Sequence, residues 1–239
     1  MAAYFISDLH LTAERGAANQ QFFAFLRAQP QAGDTLYILG DLFEYWAGDD
    51  DLDDPLNAAV VAALAACAAS GVAQYFIHGN RDFLIGEAFA TAARLNLLSD
   101  PMHFDLHGTR TTLLHGDTLC TGDRDYQQFR AKVRTPEWRD SFLARPLRDR
   151  KAEIETMRAT SELEKAHKPI AIMDVSELAV QHLFQESHAA RMIHGHTHRP
   201  ARHDSLMFGR NCTRWVLPAW DQRAGYLRVD GAGGELIYL

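Results

Sequence analysis

The chain reads as an α/β protein, and two observations predict that class. Short apolar, β-rich runs alternate along it with helical segments, the order expected of strands and covering helices. Nearly every such run also stops at an aspartate, asparagine or histidine, often beside a glycine, as in Asp8-Leu9-His10, Gly40-Asp41, Gly79-Asn80 and His115-Gly116. In α/β folds ligands collect beyond the carboxyl ends of strands, so these positions are where chemistry is expected. At 239 residues and 47% hydrophobic content the chain can bury a real core, as one large domain or one domain with an insertion. A net charge of -7 argues against a general nucleic-acid binder. Cys67, Cys120 and Cys212 lie far apart without CxxC spacing, which predicts a reducing, cytoplasmic setting. The amino terminus lacks the basic and apolar regions of a signal peptide, and no apolar window is long enough to span a bilayer.

Taken in order, Ala3 to Ser7 is a strand ending in Asp8-Leu9-His10, where a period of two would turn both side chains the same way. Asn19 to Ala28 is helical, with Phe22, Phe25 and Leu26 inward, and Pro30 stops it. Thr35 to Leu39 is a strand ending in Gly40-Asp41. The acidic run from Asp49 to Asp54 ends in Asp54-Pro55, an N-cap followed by proline, ahead of an Ala-rich helix from about Leu56 to Ala69. Gln74 to His78 is the third strand, Glu87 to Leu95 a helix, and Thr111 to Leu114 a strand ending in His115-Gly116-Asp117.

From Asp123 to Lys168 the character changes. This segment holds 12 of the 24 Lys and Arg residues against 9 of the 31 acids. Thr135-Pro136-Glu137 and Arg148 to Ala166 predict a basic helical hairpin, with Tyr126, Phe129, Trp138 and Phe142 as its aromatics. Beyond it come an apolar run at Ile170 to Met173 and a helix near Val175 to Gln185. Runs at Arg214 to Leu217, Gly225 to Val229 and Glu235 to Leu239 read as strands completing a second sheet.

The stretch Met192-Ile193-His194-Gly195-His196-Thr197-His198 supplies the last candidates, three histidines alternating over five residues after an apolar run. By itself it is equally an accidental surface cluster. Collected with the other strand ends it gives Asp8, His10, Asp41, Asn80, His115, His196 and His198. One ion needs three or four ligands, so seven point to two ions sharing a carboxylate, with Asp41 the natural bridge. Imidazole and oxygen donors without thiolate suit manganese, iron, cobalt or zinc better than calcium. Two such ions roughly 3.5–4 Å apart serve in-line displacement at phosphorus.

The ordered set Asp8-x-His10, Gly40-Asp41, Gly79-Asn80-Arg81, His115-Gly116-Asp117 and Gly195-His196-x-His198 resembles the calcineurin-like metallophosphoesterases. Within them, the strings around Leu9, Leu42-Phe43-Glu44, Asp82-Phe83-Leu84, Thr118-Leu119-Cys120 and Ile172-Met173-Asp174 are similar to the UDP-2,3-diacylglucosamine hydrolase family of lipid A biosynthesis. The resemblance implies a four-layer α/β/β/α fold over residues 1–239 with a helical lid at about 123–168. It implies two Mn2+ per chain, one held by Asp8, His10, Asp41 and His198 and the other by Asp41, Asn80, His115 and His196. It further implies hydrolysis of UDP-2,3-diacylglucosamine at the α-phosphorus by a protein peripheral to the cytoplasmic face of the inner membrane, whose anionic surface would be a partner. Asp41, Asn80, Arg81 and His115 would be catalytic, and Asn80, Arg81, Asp123, Ser161, Lys165, Lys168 and His196 would bind substrate. Gly122, just before the lid, where the family usually has an aspartate, and Lys165, within it, where some members carry asparagine, depart from the pattern at positions that bear on lid contacts. Arg81 has the forked guanidinium of a phosphate clamp, with an ion pair to Asp82 as its structural alternative. His194 and Asp117 read as supports for the ligands, and Cys120 as a packing residue. Another dinuclear phosphoesterase, acting on cyclic nucleotides or dinucleoside polyphosphates, and a non-catalytic binding module of the same fold are the competing readings.

Overall fold

The computed structural model describes residues 1–167, 170–221 and 223–239; Lys168 lies outside them, as does the side chain of Lys165. β1 (Ala3–Ile6), β2 (Thr35–Ile38), β3 (Ala73–Phe76) and β4 (Asn96–Leu97) run parallel in one sheet. β10 (Gly225–Asp230) and β11 (Gly233–Tyr238) extend it antiparallel beyond β1, in the order β11-β10-β1-β2-β3-β4. The second sheet has the order β5-β6-β7-β9-β8. Its strands are β5 (Met102–Leu106), β6 (Thr109–Leu113), β7 (Arg191–His194), β8 (Ala201–Met207) and β9 (Arg210–Val216).

One expectation is corrected here, and two strands are added. Of the three carboxy-terminal runs, only the first joins the second sheet. The runs from Gly225 and Glu235 complete the first sheet, where they cover the edge that β1 would otherwise leave unpaired. β5 and β8 were not legible as strands, because His103, Asp105, His203 and Asp204 interrupt their apolar pattern. They form because two-residue loops at His107-Gly108 and Phe208-Gly209, with positive φ at both positions, fold them back as tight hairpins on β6 and β9.

The period of two along β1 divides the molecule into layers. Tyr4 and Ile6 face the helices α1 (Gly16–Ala28), α2 (Pro55–Ala69) and α3 (Glu87–Ala93), packing with Phe22, Phe25, Val60, Leu64 and Phe89. Ala3 and Phe5 face the other way, onto Leu113, Ile193 and Trp215 of the second sheet. That sheet's outer face, with Met192 and Cys212, is covered by Val180 and Phe184 of α7 (Glu177–Ser187). The result is an α/β/β/α sandwich. Because β1, β2 and β3 are parallel, and β6, β7 and β9 likewise, both sheets deliver their carboxyl ends to the loops that carry the candidate residues.

The basic insertion forms three helices, α4 (Arg124–Val133), α5 (Pro136–Leu143) and α6 (Leu147–His167), where a two-helix hairpin was expected. The missed helix, α4, opens on Asp123, whose carboxylate accepts the Tyr126 amide at 3.2 Å. The acidic run explains how the insertion is fastened down. Asp54 caps α2 as its Asp-Pro signal predicts. Asp50 pairs with Arg150, which is 1% exposed and also donates to the Ala47 carbonyl at 2.5 Å. Asp51 holds Lys151 at 2.7 Å. Of the four aromatics in the insertion, Phe142 is buried and Trp138 stacks on it at 4.7 Å while meeting Phe83 at 6.0 Å. Those two fasten the helices to the body. Phe129 remains 44% exposed.

Candidate metal centre

All seven candidate ligands converge at one end of the sandwich, but not by the alternation of an extended strand. β1 ends at Ile6 and β7 at His194; Asp8, His10, Asp41, His196 and His198 follow in loops with φ between 49° and 67°. Left-handed backbone at a non-glycine residue costs on the order of 1 kcal/mol or more and persists only where the surroundings over-determine it. Here the hydrogen bonds do so. The Asp8 amide donates to Gly40 O at 3.1 Å, the His10 amide to Asp41 O at 3.0 Å, and the His196 amide to Asp8 Oδ2 at 2.8 Å. Two glycines permit the close approach: a Cβ at Gly195 would fall on the Asp8 carboxylate, and one at Gly79 on that of Asp41.

Two groups of donors emerge, Asp8 with His10 and His198, and Asp8 with Asp41 and His115, the donor atoms of each lying within 4.8 Å of one another. Asp41 Oδ2 connects them, 3.9 Å from His10 Nε2 and 3.7 Å from His115 Nε2, while its Oδ1 is tied to the Arg81 amide at 2.8 Å. Asn80 Oδ1 lies 3.0 Å from His115 Nε2, and the His196 ring stands 5.0 Å from that of His115. His115 Nδ1 contacts Leu39 O at 2.8 Å, which fixes the proton there and turns Nε2 inward.

The donor set fits a divalent cation. His10 Nε2 and His198 Nε2 face each other at 3.3 Å, and Asp8 Oδ1 is buried with no hydrogen-bond partner. Burial opposes charge on His115, yet Asp41, Asp8 and Asp117 outweigh it and raise its pKa to about 9. Burial also opposes charge on His198, but contacts with Asp221 and Asp8 raise it to about 10. The buried carboxylates therefore demand positive charge at this point. His196 behaves oppositely, with burial and then the His115 charge depressing it to about 4, so it offers a neutral imidazole.

Residues 1–200 match the calcineurin-like phosphoesterase family. Among relatives named UDP-2,3-diacylglucosamine hydrolase, one from Aromatoleum aromaticum (strain DSM 19018 / LMG 30748 / EbN1) is 53% identical over 233 residues, covering 98% of this chain and 95% of the relative. One from Escherichia coli O81 (strain ED1a) is 46% identical over 238 residues, covering 100% and 99%. One from Serratia proteamaculans (strain 568) is 46% identical over 237 residues, covering 99% and 98%. The chain belongs to the UDP-2,3-diacylglucosamine hydrolase family of calcineurin-like phosphoesterases.

Around this family's centre the sequence had singled out Arg81, Asp117, His194 and Cys120, but not the roles of Asp82, Glu44 and Asp221. Asp82, fully buried, does not pair with Arg81; it accepts the amides of Leu42 at 2.7 Å, Gly79 at 2.9 Å and Asp41 at 3.2 Å. Arg81 instead reaches Glu44 at 3.4 Å, and Glu44 also meets His10 Nδ1 at 3.2 Å and Arg158 of α6 at 2.6 Å. Asp221 stands 3.5 Å from His198 Nδ1, in the loop after β9, where the strand-end rule would have found it. Asp117 anchors α4, accepting Tyr126 Oη at 2.5 Å and Arg130 Nε at 2.7 Å, and Arg134 donates to Gly79 O at 2.8 Å. His194 is buried and held neutral, its pKa lowered to about 3 by burial, with Arg214 donating to Nε2 at 3.1 Å. Cys120 is buried and its thiol pushed up to about 12 by burial and then Asp117, so it is no nucleophile. Of the substrate positions expected in the insertion, Asp123 caps α4 and Ser161 lies half-buried on α6.

Proposed function

We propose that this chain hydrolyses the pyrophosphate of UDP-2,3-diacylglucosamine, with water attacking the α-phosphorus to release UMP and 2,3-diacylglucosamine 1-phosphate, the lipid X of lipid A biosynthesis. The observation that carries this reading is the position of Asp41 Oδ2 between His10 and His115, in a chain aligned end to end with relatives bearing that activity in their name. Asp8, His10, Asp41 and His198 would hold one Mn2+, and Asp41, Asn80, His115 and His196 the second. Such a pair acidifies water and neutralises charge on phosphoryl oxygens. Asp41 positions both halves of the site, and the Leu39 carbonyl keeps His115 in the tautomer that presents Nε2. Arg81, leaving Glu44, clamps a phosphoryl oxygen whose charge grows as the bond breaks. Asn80 and His196 flank the same phosphoryl group.

The helices α4–α6 are the lid. Lid residues Asp123, Ser161, Lys165 and Lys168 would meet the glucosamine phosphate, and exposed Phe129, beside Phe83 and Val133, offers apolar cover to an acyl chain. No helix among the described residues is long and apolar enough to cross a membrane. The basic residues of the insertion would give peripheral attachment to the cytoplasmic face of the inner membrane, each contributing on the order of 1 kcal/mol near an anionic surface. Purified protein, manganese and the UDP-lipid in oxygen-18 water test the chemistry. Label in the phosphate of UMP supports attack at the α-phosphorus; label in lipid X means β-attack, and label in free fatty acid means an esterase.

A further inference from the structure

Beside the donor group of Asp8, His10 and His198 lies an opening that the reading above leaves without a role. It is a cavity of about 420 Å³ between the start of α1 and the loop after β9. Its walls are bonded directly to the metal-site backbone and side chains. The Trp220 amide donates to Asp8 O at 3.0 Å, Arg15 Nη1 to His10 O at 3.4 Å, and Asp221 stands 3.5 Å from His198 Nδ1. The lid approaches from elsewhere: Tyr126 of α4 stacks 6.1 Å from His196, and Arg134 holds Gly79 O. The centre therefore has two mouths, one roofed by α4–α6 beside Asn80 and His196 and reaching His10 through Glu44 and Arg158, the other at the cavity beside Asp221 and His198.

We propose that this second cavity is the subsite for the nucleoside monophosphate half of the substrate, an inference that rests on the pyrophosphate-hydrolase reading. A pyrophosphate diester carries one group on each side of the reacting centre, and in-line displacement sends the leaving group away from the entering water. With the acylated sugar phosphate leaving beneath the lid, the nucleoside, a spectator substituent on the attacked phosphorus, has the other mouth to project into. The chemistry of the walls suits it. Uracil presents two carbonyl acceptors and one N–H donor, and ribose two hydroxyls; Arg15 and Arg223 supply donors, and Glu14 and Asp221 acceptors. The volume falls within the range of small-molecule sites, roughly 300–1,000 Å³. Acyl chains would instead desolvate those four charged groups without replacing their hydrogen bonds, which excludes the lipid half from this mouth. A Cβ at Gly16, on the cavity wall, would meet nothing within 4 Å, so the space there is unfilled.

The test is UMP binding by calorimetry and UMP inhibition of turnover, with the manganese-loaded full chain and its Arg223→Glu and Gly16→Trp variants. Arg223 lies against the Tyr238 ring at 4.3 Å, away from the metal donors, and Gly16→Trp fills the cavity without altering a charge. In each variant UMP affinity should fall about tenfold or more, while inhibition by inorganic phosphate and by 2,3-diacylglucosamine 1-phosphate stays within twofold of the parent (a tenfold change corresponds to 1.4 kcal/mol). UMP affinity unchanged in both variants overturns the subsite. So does a parallel loss for inorganic phosphate, which would place the effect at the metals. A parent that binds UMP but leaves the UDP-lipid intact overturns the proposed function instead, and the calorimetric comparison still decides the subsite.

Discussion

Asp82 offers the sharpest test of how the centre is assembled. It touches none of the candidate metal donors with its side chain except through their backbone, yet it ties the Asp41 loop to the Asn80 loop. Its Oδ1 accepts the amides of Gly79 and Asp41, and its Oδ2 that of Leu42. The residue is fully buried, so no water can replace it. Asp82→Ala strands three buried donors at about 1–3 kcal/mol each; partial relaxation brings the sum to roughly 3–5 kcal/mol. Asp82→Asn keeps one accepting oxygen and points an N–H₂ at the remaining amide or amides, for a loss of about 1–3 kcal/mol. With a denaturant slope near 3 kcal/mol per molar, the alanine variant's urea midpoint should fall by about 1 M or more, and the asparagine variant's by less. Because Asp41 and Asn80 lose their relative position, metal affinity measured by calorimetry should fall about 10- to 100-fold. An alanine variant with the parent's urea midpoint and metal affinity would refute the reasoning, since three buried amides would then have lost their acceptor at no cost.

Three further outcomes are expected. Chelation should abolish activity and manganese restore it, and Asp41→Ala should reduce the metal content of the purified protein from the proposed two equivalents toward none; full activity in a metal-free sample would sink the two-metal reading. Phe129→Ala should leave urea stability and hydrolysis of a small phosphodiester near the parent's while lowering turnover of the diacylated substrate, and equal losses for both substrates would refute a lipid-covering role. Asp100 has its pKa raised from 3.8 to about 6 by burial and then by Asp117, so the folded state holds a proton that the unfolded state releases between those values. Asp100's own contribution to stability should therefore fall as pH rises from about 4 to about 6, against the rise that the depressed His194 and His196 supply over the same range, and Asp100→Asn should change the slope by up to about 3 kcal/mol across it; identical urea-midpoint profiles for parent and variant from pH 4 to 7 would contradict it.

The sequence by itself determined the donors and the order of the scaffold. Asp8, His10, Asp41, Asn80, His115, His196 and His198 were legible because each follows its strand within a few residues, and covalent spacing does not depend on the rest of the fold. Asp54-Pro55 was legible for the same reason, since an N-cap acts on amides two and three residues away. Tertiary structure alone decided what depends on partners distant in the chain. The left-handed backbone at Asp8, His10, Asp41 and His196 is held by hydrogen bonds from other loops, so no local pattern announces it. β10 and β11 joined the first sheet because β1 had an open edge, a property of the assembled sheet and not of their own residues. Asp117 was legible as a support because it sits two residues after His115, whereas the roles of Asp82 and Glu44 were hidden in one dimension. These two became supports of the centre only when loops tens of residues apart in sequence were packed into the same few ångströms, where burial leaves a charge no partner but the ones the fold supplies.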